Sequence, residues 1–121
     1  MDRETRRELR KLKLERADIM RRIRAEHRRT QRYWDRVAGL KNAFEEVDEA
    51  IRSQILEDDK LYSWNRRAIA SLRSKIRKYR KLAEELEEAW NIYNRETGYL
   101  RELEKMKDQI DEEIYRLEYG E

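Results

Sequence analysis

The chain has 121 residues, 47% of them Asp, Glu, Lys or Arg, and its net charge is +3. It contains no proline, no cysteine, three glycines and one histidine. This composition excludes a disulfide framework and a thiolate zinc site, and it leaves too little turn punctuation for a many-stranded fold. Hydrophobic residues make up 38%, enough for thin helical seams but not for a thick globular core. No run approaches the roughly 18 apolar residues of a membrane span, and the opening residues alternate charges instead of forming an apolar leader.

The first element is set by heptad spacing. Leu9, Arg16, Ile23, Thr30, Val37, Phe44 and Ile51 fall at one core column, and Leu12, Ile19, Glu26, Tyr33, Leu40, Val47 and Gln54 at the other. Ten of these fourteen residues are apolar, counting Tyr33, and the spacing never slips. A pattern kept in register this long predicts one helix over about 3–57, under-wound against a neighbour. Arg16, Glu26, Thr30 and Gln54 are the polar exceptions, and they read as register-setting or partly exposed seam residues. Gly39 costs about 1 kcal/mol against alanine inside a helix, but the pattern continues through it.

Neither register crosses the segment Glu57-Asp58-Asp59-Lys60-Leu61-Tyr62-Ser63-Trp64-Asn65. Asp58, Asp59 and Ser63 are each candidate N-caps for a second helix. That helix is expected over about 61–118. Its seam is read with Ile69, Ile76, Ala83, Trp90 and Thr97 in one column and Leu72, Tyr79, Leu86, Tyr93 and Leu100 in the other. Beyond Gly98 the apolar residues Leu100, Leu103, Ile110, Ile114 and Leu117, with Lys107, keep alternating steps of three and four. Counted from Tyr93, the spacing reads as a stammer, so a kink is expected near Gly98.

Charge decides the pairing direction. Residues 1–32 carry 13 basic and 6 acidic side chains, and residues 33–57 carry 3 and 6. Residues 58–82 carry 9 and 2, and residues 83–121 carry 5 and 13. Folding back at the midpoint lays the basic start on the acidic end and the acidic second block on the basic third. A parallel pair would stack like on like, and such repulsion repeated along a seam selects orientation. The expected fold is all-α: a single-domain, long antiparallel helical hairpin, coiled-coil-like, spanning 1–121. In that arrangement Tyr33 and Trp34 fall near the level of Trp90 and form an aromatic cluster.

Catalytic chemistry has little to work with. His27 is the only imidazole, no cysteine can act as nucleophile, and no glycine-rich phosphate loop is present. Arg24 stands three residues before His27, where a di-iron Glu-x-x-His pair would need Glu. The carboxylates Glu84, Glu85, Glu87 and Glu88 read as the solvated face of a charged helix. The expectation is a non-enzyme with no cofactor and no metal. Arginines between Arg3 and Arg32, and the run Arg73 to Lys81, permit an alternative reading as a basic coiled-coil nucleic-acid binder. Interspersed acids and a facing acidic helix argue against it.

The aromatics carry more information. Trp64 at the expected tip, and Tyr115 and Tyr119 near the end of the chain, have no obvious partner within the fold, and Tyr62 joins them among the expected partner-binding residues. Large amphipathic rings at such places are favoured interface anchors. A two-helix hairpin also buries only one stripe per helix, while ordering costs about 1.5 kcal/mol per residue. Self-association or docking onto the helices of another protein would complete the seam.

With the missing Cys and Pro, Trp64 after the mid-chain turn, and Phe44-Glu45-Glu46-Val47-Asp48, the chain resembles the small helical partner proteins of type VII secretion. These are the WXG-like hairpins and the helical companions of LXG-domain toxins. Phe44 and Asp48 are similar to a Phe-x-x-x-Asp export motif of one companion type. The resemblance implies an adaptor or chaperone that bundles with the helical N-terminal domain of a toxin, in the cytoplasm or secreted with it. It is imperfect: Asn65-Arg66 follows Trp64 where x-Gly would stand, the tail lacks Tyr-x-x-x-Asp/Glu, and Phe44 and Asp48 lie in the first helix. A coiled-coil stalk or chaperone of another export machine shares the same features.

Overall fold

The computed structural model describes residues 2–120, and among these it is all-helical. The elements are α1 (Arg3–Leu61), α2 (Arg66–Glu96) and α3 (Gly98–Tyr119). The fourteen seam positions read from the sequence of α1 are all buried or half-buried, so the first register is as expected. Gly39 lies inside α1, and a Cβ placed there would meet nothing within 4 Å. Gly39→Ala is therefore expected to raise stability by about 0.5–1 kcal/mol, because alanine gives up less backbone freedom on folding. Thermal denaturation should show a gain of a few degrees.

Both boundaries at mid-chain differ from expectation. The first helix runs on to Leu61 rather than ending near 57, and the second begins at Arg66 rather than near 61. Tyr62 takes a left-handed conformation, φ 51°. The Ser63 amide then donates to the Asp58 carbonyl at 3.0 Å, and the Tyr62 amide to the Asp59 carbonyl at 3.3 Å. These are the two hydrogen bonds of a Schellman termination, which ordinarily uses glycine at the left-handed position. A tyrosine does the work of the glycine that the sequence lacks.

The cap of α2 is Asn65, whose side-chain oxygen accepts from the Ala68 amide at 2.9 Å. Asp58, Asp59 and Ser63, the caps expected from sequence, serve other partners. Ser63 Oγ donates to Asp58 Oδ1 at 2.9 Å, and Trp64 Nε1 donates to Asp59 Oδ1 at 2.6 Å. The reason is geometric: with α1 continuing to Leu61, only Asn65 stands next to the first turn of α2.

The register of α2 also needs correction. Leu72, Tyr79, Leu86, Tyr93 and Leu100 do lie inward, but Ile69 and Trp90 are exposed, while their neighbour Ala89 is buried. The companion column runs one residue earlier, through Ala68, Lys75, Leu82, Ala89 and Glu96, and continues as Leu103, Ile110 and Leu117. With that column the steps of four and three pass through residue 97 without a stammer. The helix is nonetheless interrupted at Thr97 (φ −95°, ψ 5°), close to where the kink was expected. Arg101 donates to the Asn94 carbonyl and to Thr97 Oγ1, both at 2.8 Å, and Arg29 donates to the Glu96 carbonyl at 2.7 Å. Carbonyls released where α2 ends are thereby satisfied by guanidinium groups.

The residues form two compact units. The first comprises residues 1–31 and 94–121. Ile19, Ile23, Leu100 and Leu103 make its buried core, with Met20 and Ile110 packed against them. The second comprises residues 32–93. Its buried residues include Val37, Val47 and Ala89, and its rings are clustered. Trp34 lies 6.0 Å from Trp90 and 5.4 Å from Tyr93 between ring centroids, and Phe44 lies 4.5 Å from Tyr79. Trp34 and Trp90 thus meet at the level that the charge argument indicates.

Candidate functional site: a polar seam and exposed rings

Within the first unit, rising residue numbers in α1 meet falling numbers beyond Asn94. Lys13 pairs with Glu118 at 3.0 Å, Arg16 with Asp111, and Arg29 with Glu96 at 3.1 Å. Lys107 also reaches Asp111, at 3.1 Å. These contacts join the basic start of the chain to its acidic end, as the charge blocks require. His27 Nε2 sits 4.0 Å from Glu104 Oε1 on an exposed surface. Buried Thr30 donates its hydroxyl back to the Glu26 carbonyl at 2.8 Å.

The ion pairs bear on pH dependence. The guanidinium of Arg29 donating to Glu96, and that of Arg16 donating to Asp111, hold both carboxyls below their ordinary values. As pH falls, the unfolded chain therefore takes up these protons before the folded chain does. Their stabilisation is full at neutral pH and above the ordinary carboxylate range near pH ~4, and it disappears as pH drops through the depressed folded values. Chemical denaturation across acid pH should show the first unit weakening in that window. Asp111→Asn should flatten the slope.

In the second unit the same opposed numbering is set by a hydrogen-bonded hub. Gln54 donates to the Ala68 carbonyl at 2.8 Å and to Asp58 Oδ2 at 3.2 Å. Its oxygen accepts from Lys75 Nζ at 2.7 Å and Ser71 Oγ at 3.3 Å. All four hydrogen-bonding positions of the amide are used, so this polar seam residue fixes α1 against α2 in one register.

The residues singled out as partner-binding are distributed unevenly. Phe44 is half-buried against Tyr79, and Asp48 pairs with Arg52 at 3.1 Å one turn on. Phe44 is thus engaged inside the second unit. Tyr62 is 94% exposed, the largest exposure of any big apolar side chain described. Trp64 is partly exposed, with its indole N–H held by Asp59. Tyr115 and Tyr119 are exposed and stack on each other, with centroids 4.7 Å apart. Two expectations change here: Trp64 and the Tyr115–Tyr119 pair, read from sequence as partnerless, each have a partner within the chain. Leu14, Leu56 and Leu61 also lie open to solvent, unremarked in the sequence because they sit outside the seam columns.

Tyr62 is the most informative of these residues. A non-glycine residue in the left-handed region costs about 1–2 kcal/mol, and such cost concentrates where a side chain serves function. Among the described residues, no group of three or more His, Cys, Asp or Glu is placed to hold a metal ion. No helix among them is long and apolar enough to cross a membrane. Comparison of the chain with protein-family models, with curated proteins and with solved structures returns no match in any of the three.

Proposed function

We propose that the protein is a non-enzymatic helical interaction module, an antiparallel hairpin that docks onto the helices of another protein. The observation that carries this reading is Tyr62: a fully presented aromatic ring held in a backbone conformation that glycine would adopt at lower cost. Trp64, fixed by Asp59, and the stacked Tyr115 and Tyr119 offer further rigid rings of the kind that anchor interfaces. Exposed Leu14, Leu56 and Leu61 add apolar surface that a partner helix would cover.

The partner we favour is the helical N-terminal domain of a secreted toxin, with the protein acting as its adaptor or chaperone for type VII export. What supports this is the resemblance carried by Trp64 and by Phe44 and Asp48. The engagement of Phe44 with Tyr79 weakens the part of it that treats Phe44 as an export signal. The test is co-expression with the product of the neighbouring gene, followed by size-exclusion chromatography. A stable co-complex supports the adaptor reading, and separate elution of the two proteins defeats it. Tyr62→Gly is expected to raise the stability of the free protein by about 1 kcal/mol, because glycine relieves the left-handed strain. The same variant, and Trp64→Ala, should weaken the co-complex about ten-fold or more.

A further inference from the structure

The basic residues that open α2 are left without acidic partners. From Arg66 to Lys81 the helix carries eight basic residues and no acidic one. Lys75 is engaged by Gln54. The other seven are exposed, and none forms a side-chain ion pair or hydrogen bond with another described residue. The acidic residues that the charge blocks lay alongside do not reach them, and the reason is angular. Successive residues of a helix turn by about 100°. Arg66, Arg73, Arg77, Arg80 and Lys81 therefore share one arc of about 100°. That arc points away from Ala68, Lys75 and Tyr79, which contact Gln54 and Phe44 of α1.

This arrangement does not serve the stability of the helix. The first turn of α2 holds Arg66 and Arg67 and no acid, although the helix dipole favours negative charge there. Like charges one turn apart, as at Arg73 and Arg77, repel. Between them the small side chain of Ala70 leaves a shallow groove, bordered by Arg66, Ile69, Arg73 and Arg77. An anion along this face would offset each of these costs.

We infer that this face of α2 binds the phosphate backbone of double-stranded DNA, without regard to base sequence. Its five cations extend over about 22 Å at 1.5 Å per residue, which matches a polyanion rather than a single charged group. The same length covers about six base pairs at 3.4 Å each. Four of the five are arginines, whose planar forks suit phosphate oxygens. A helix about 10–12 Å across fits the major groove of B-form DNA, about 12 Å wide, whereas that of duplex RNA is too narrow. Single strands are held by stacking on aromatic rings, and the arc contains none. Membrane-surface helices bury a broad apolar face, and the apolar residue within the arc is Ala70 alone. Glu84 and Glu88 follow on the same side and end the cationic footprint at Lys81. The rings that carry the adaptor reading lie outside this arc, so DNA binding is a property beyond that reading.

The test is fluorescence anisotropy of a labelled, mixed-sequence DNA duplex titrated with the full chain at several salt concentrations. With five phosphates neutralised, the logarithm of affinity should fall with that of salt at a slope of about −4.5. Affinity should thus drop about 500-fold between about 50 and 200 mM salt. Arg73→Glu/Arg77→Glu should weaken binding more than about ten-fold at low salt and make the slope shallower by about two. Its melting temperature should equal or exceed that of wild type, because the repulsive run is relieved, so lost affinity is not lost fold. Arg7→Glu/Arg10→Glu makes the same charge change in the first unit, beside Glu4 and Glu8, and should cost less than about three-fold. Absence of duplex binding at low salt overturns the inference, as do equal losses from the two double variants. Tighter binding to a single strand, to duplex RNA or to phosphatidylserine vesicles also overturns it. If Arg73→Glu/Arg77→Glu abolishes the co-complex while DNA affinity is unchanged, the face belongs to the protein partner and the inference fails. Loss of DNA binding with the co-complex intact supports it.

Discussion

Leu103→Asp is expected to unfold the first unit, and Leu103→Ala to cost about 3 kcal/mol. Leu103 is 1% exposed and packs with Ile19, Ile23 and Leu100, a core of four buried residues. Truncating a buried leucine loses its transfer free energy and leaves a cavity, together about 2–5 kcal/mol. Native domains hold only about 5–15 kcal/mol in total, so the alanine variant forfeits a large share. Aspartate adds the cost of burying a carboxylate among the apolar side chains of Ile19, Ile23 and Leu100. Urea denaturation followed by far-ultraviolet circular dichroism should show the alanine midpoint well below wild type and little folded baseline for the aspartate variant. Leu14→Gln is the control: Leu14 is exposed in the same unit, and its replacement should change stability by less than about 0.5 kcal/mol. Equal effects at both positions would contradict the assigned core.

The second large effect is expected from an enlargement. Ala89 is 2% exposed, on the inward column of α2. Ala89→Leu should destabilise the second unit by about 1–3 kcal/mol, because added methylene groups must displace the side chains that cover Ala89. The neighbouring space is bordered by Tyr33, Arg36 and Ile92, and Trp34, Trp90 and Tyr93 form their own cluster in the same unit. Ala25→Leu, on an exposed face of α1, should be close to neutral. The measurement separates the two possible registers of α2. Were the seam to pass through Trp90 as the sequence pattern suggests, position 89 would point outward and a leucine there would be tolerated.

That register error has a definite physical origin. Counting apolar residues favours Ile69, Ile76 and Trp90, which are larger and more hydrophobic than Ala68, Lys75 and Ala89. The inward column is instead chosen by close approach and by polar satisfaction. Ala89 is 2% exposed, Lys75 reaches Gln54 at 2.7 Å, and Glu96 reaches Arg29 at 3.1 Å. No hydropathy count of one helix contains the partner that makes a lysine or glutamate acceptable at an inward position. The first helix was legible because its columns hold ten apolar residues, with Thr30 satisfied within its own helix.

The candidate site divides along the same line. Rings at Tyr62, Trp64, Tyr115 and Tyr119 were identifiable from sequence as lying outside the seam. The conformation of Tyr62 and the pairing of Tyr115 with Tyr119 were not, since both depend on how helix ends close. The choice of Asn65 over Asp58, Asp59 and Ser63 as cap likewise follows from where α1 stops.

By itself, the sequence determined that the chain is helical, that its basic start meets its acidic end, and which residues of α1 turn inward. Periodicity and like-charge repulsion act over many residues, so their sum is decisive before any contact is known. Tertiary structure alone decided the turn at Tyr62, the inward column of α2 and the interruption at Thr97. Each of these rests on one or two hydrogen bonds, or on a few ångströms of available space, whose partners are distant in the chain.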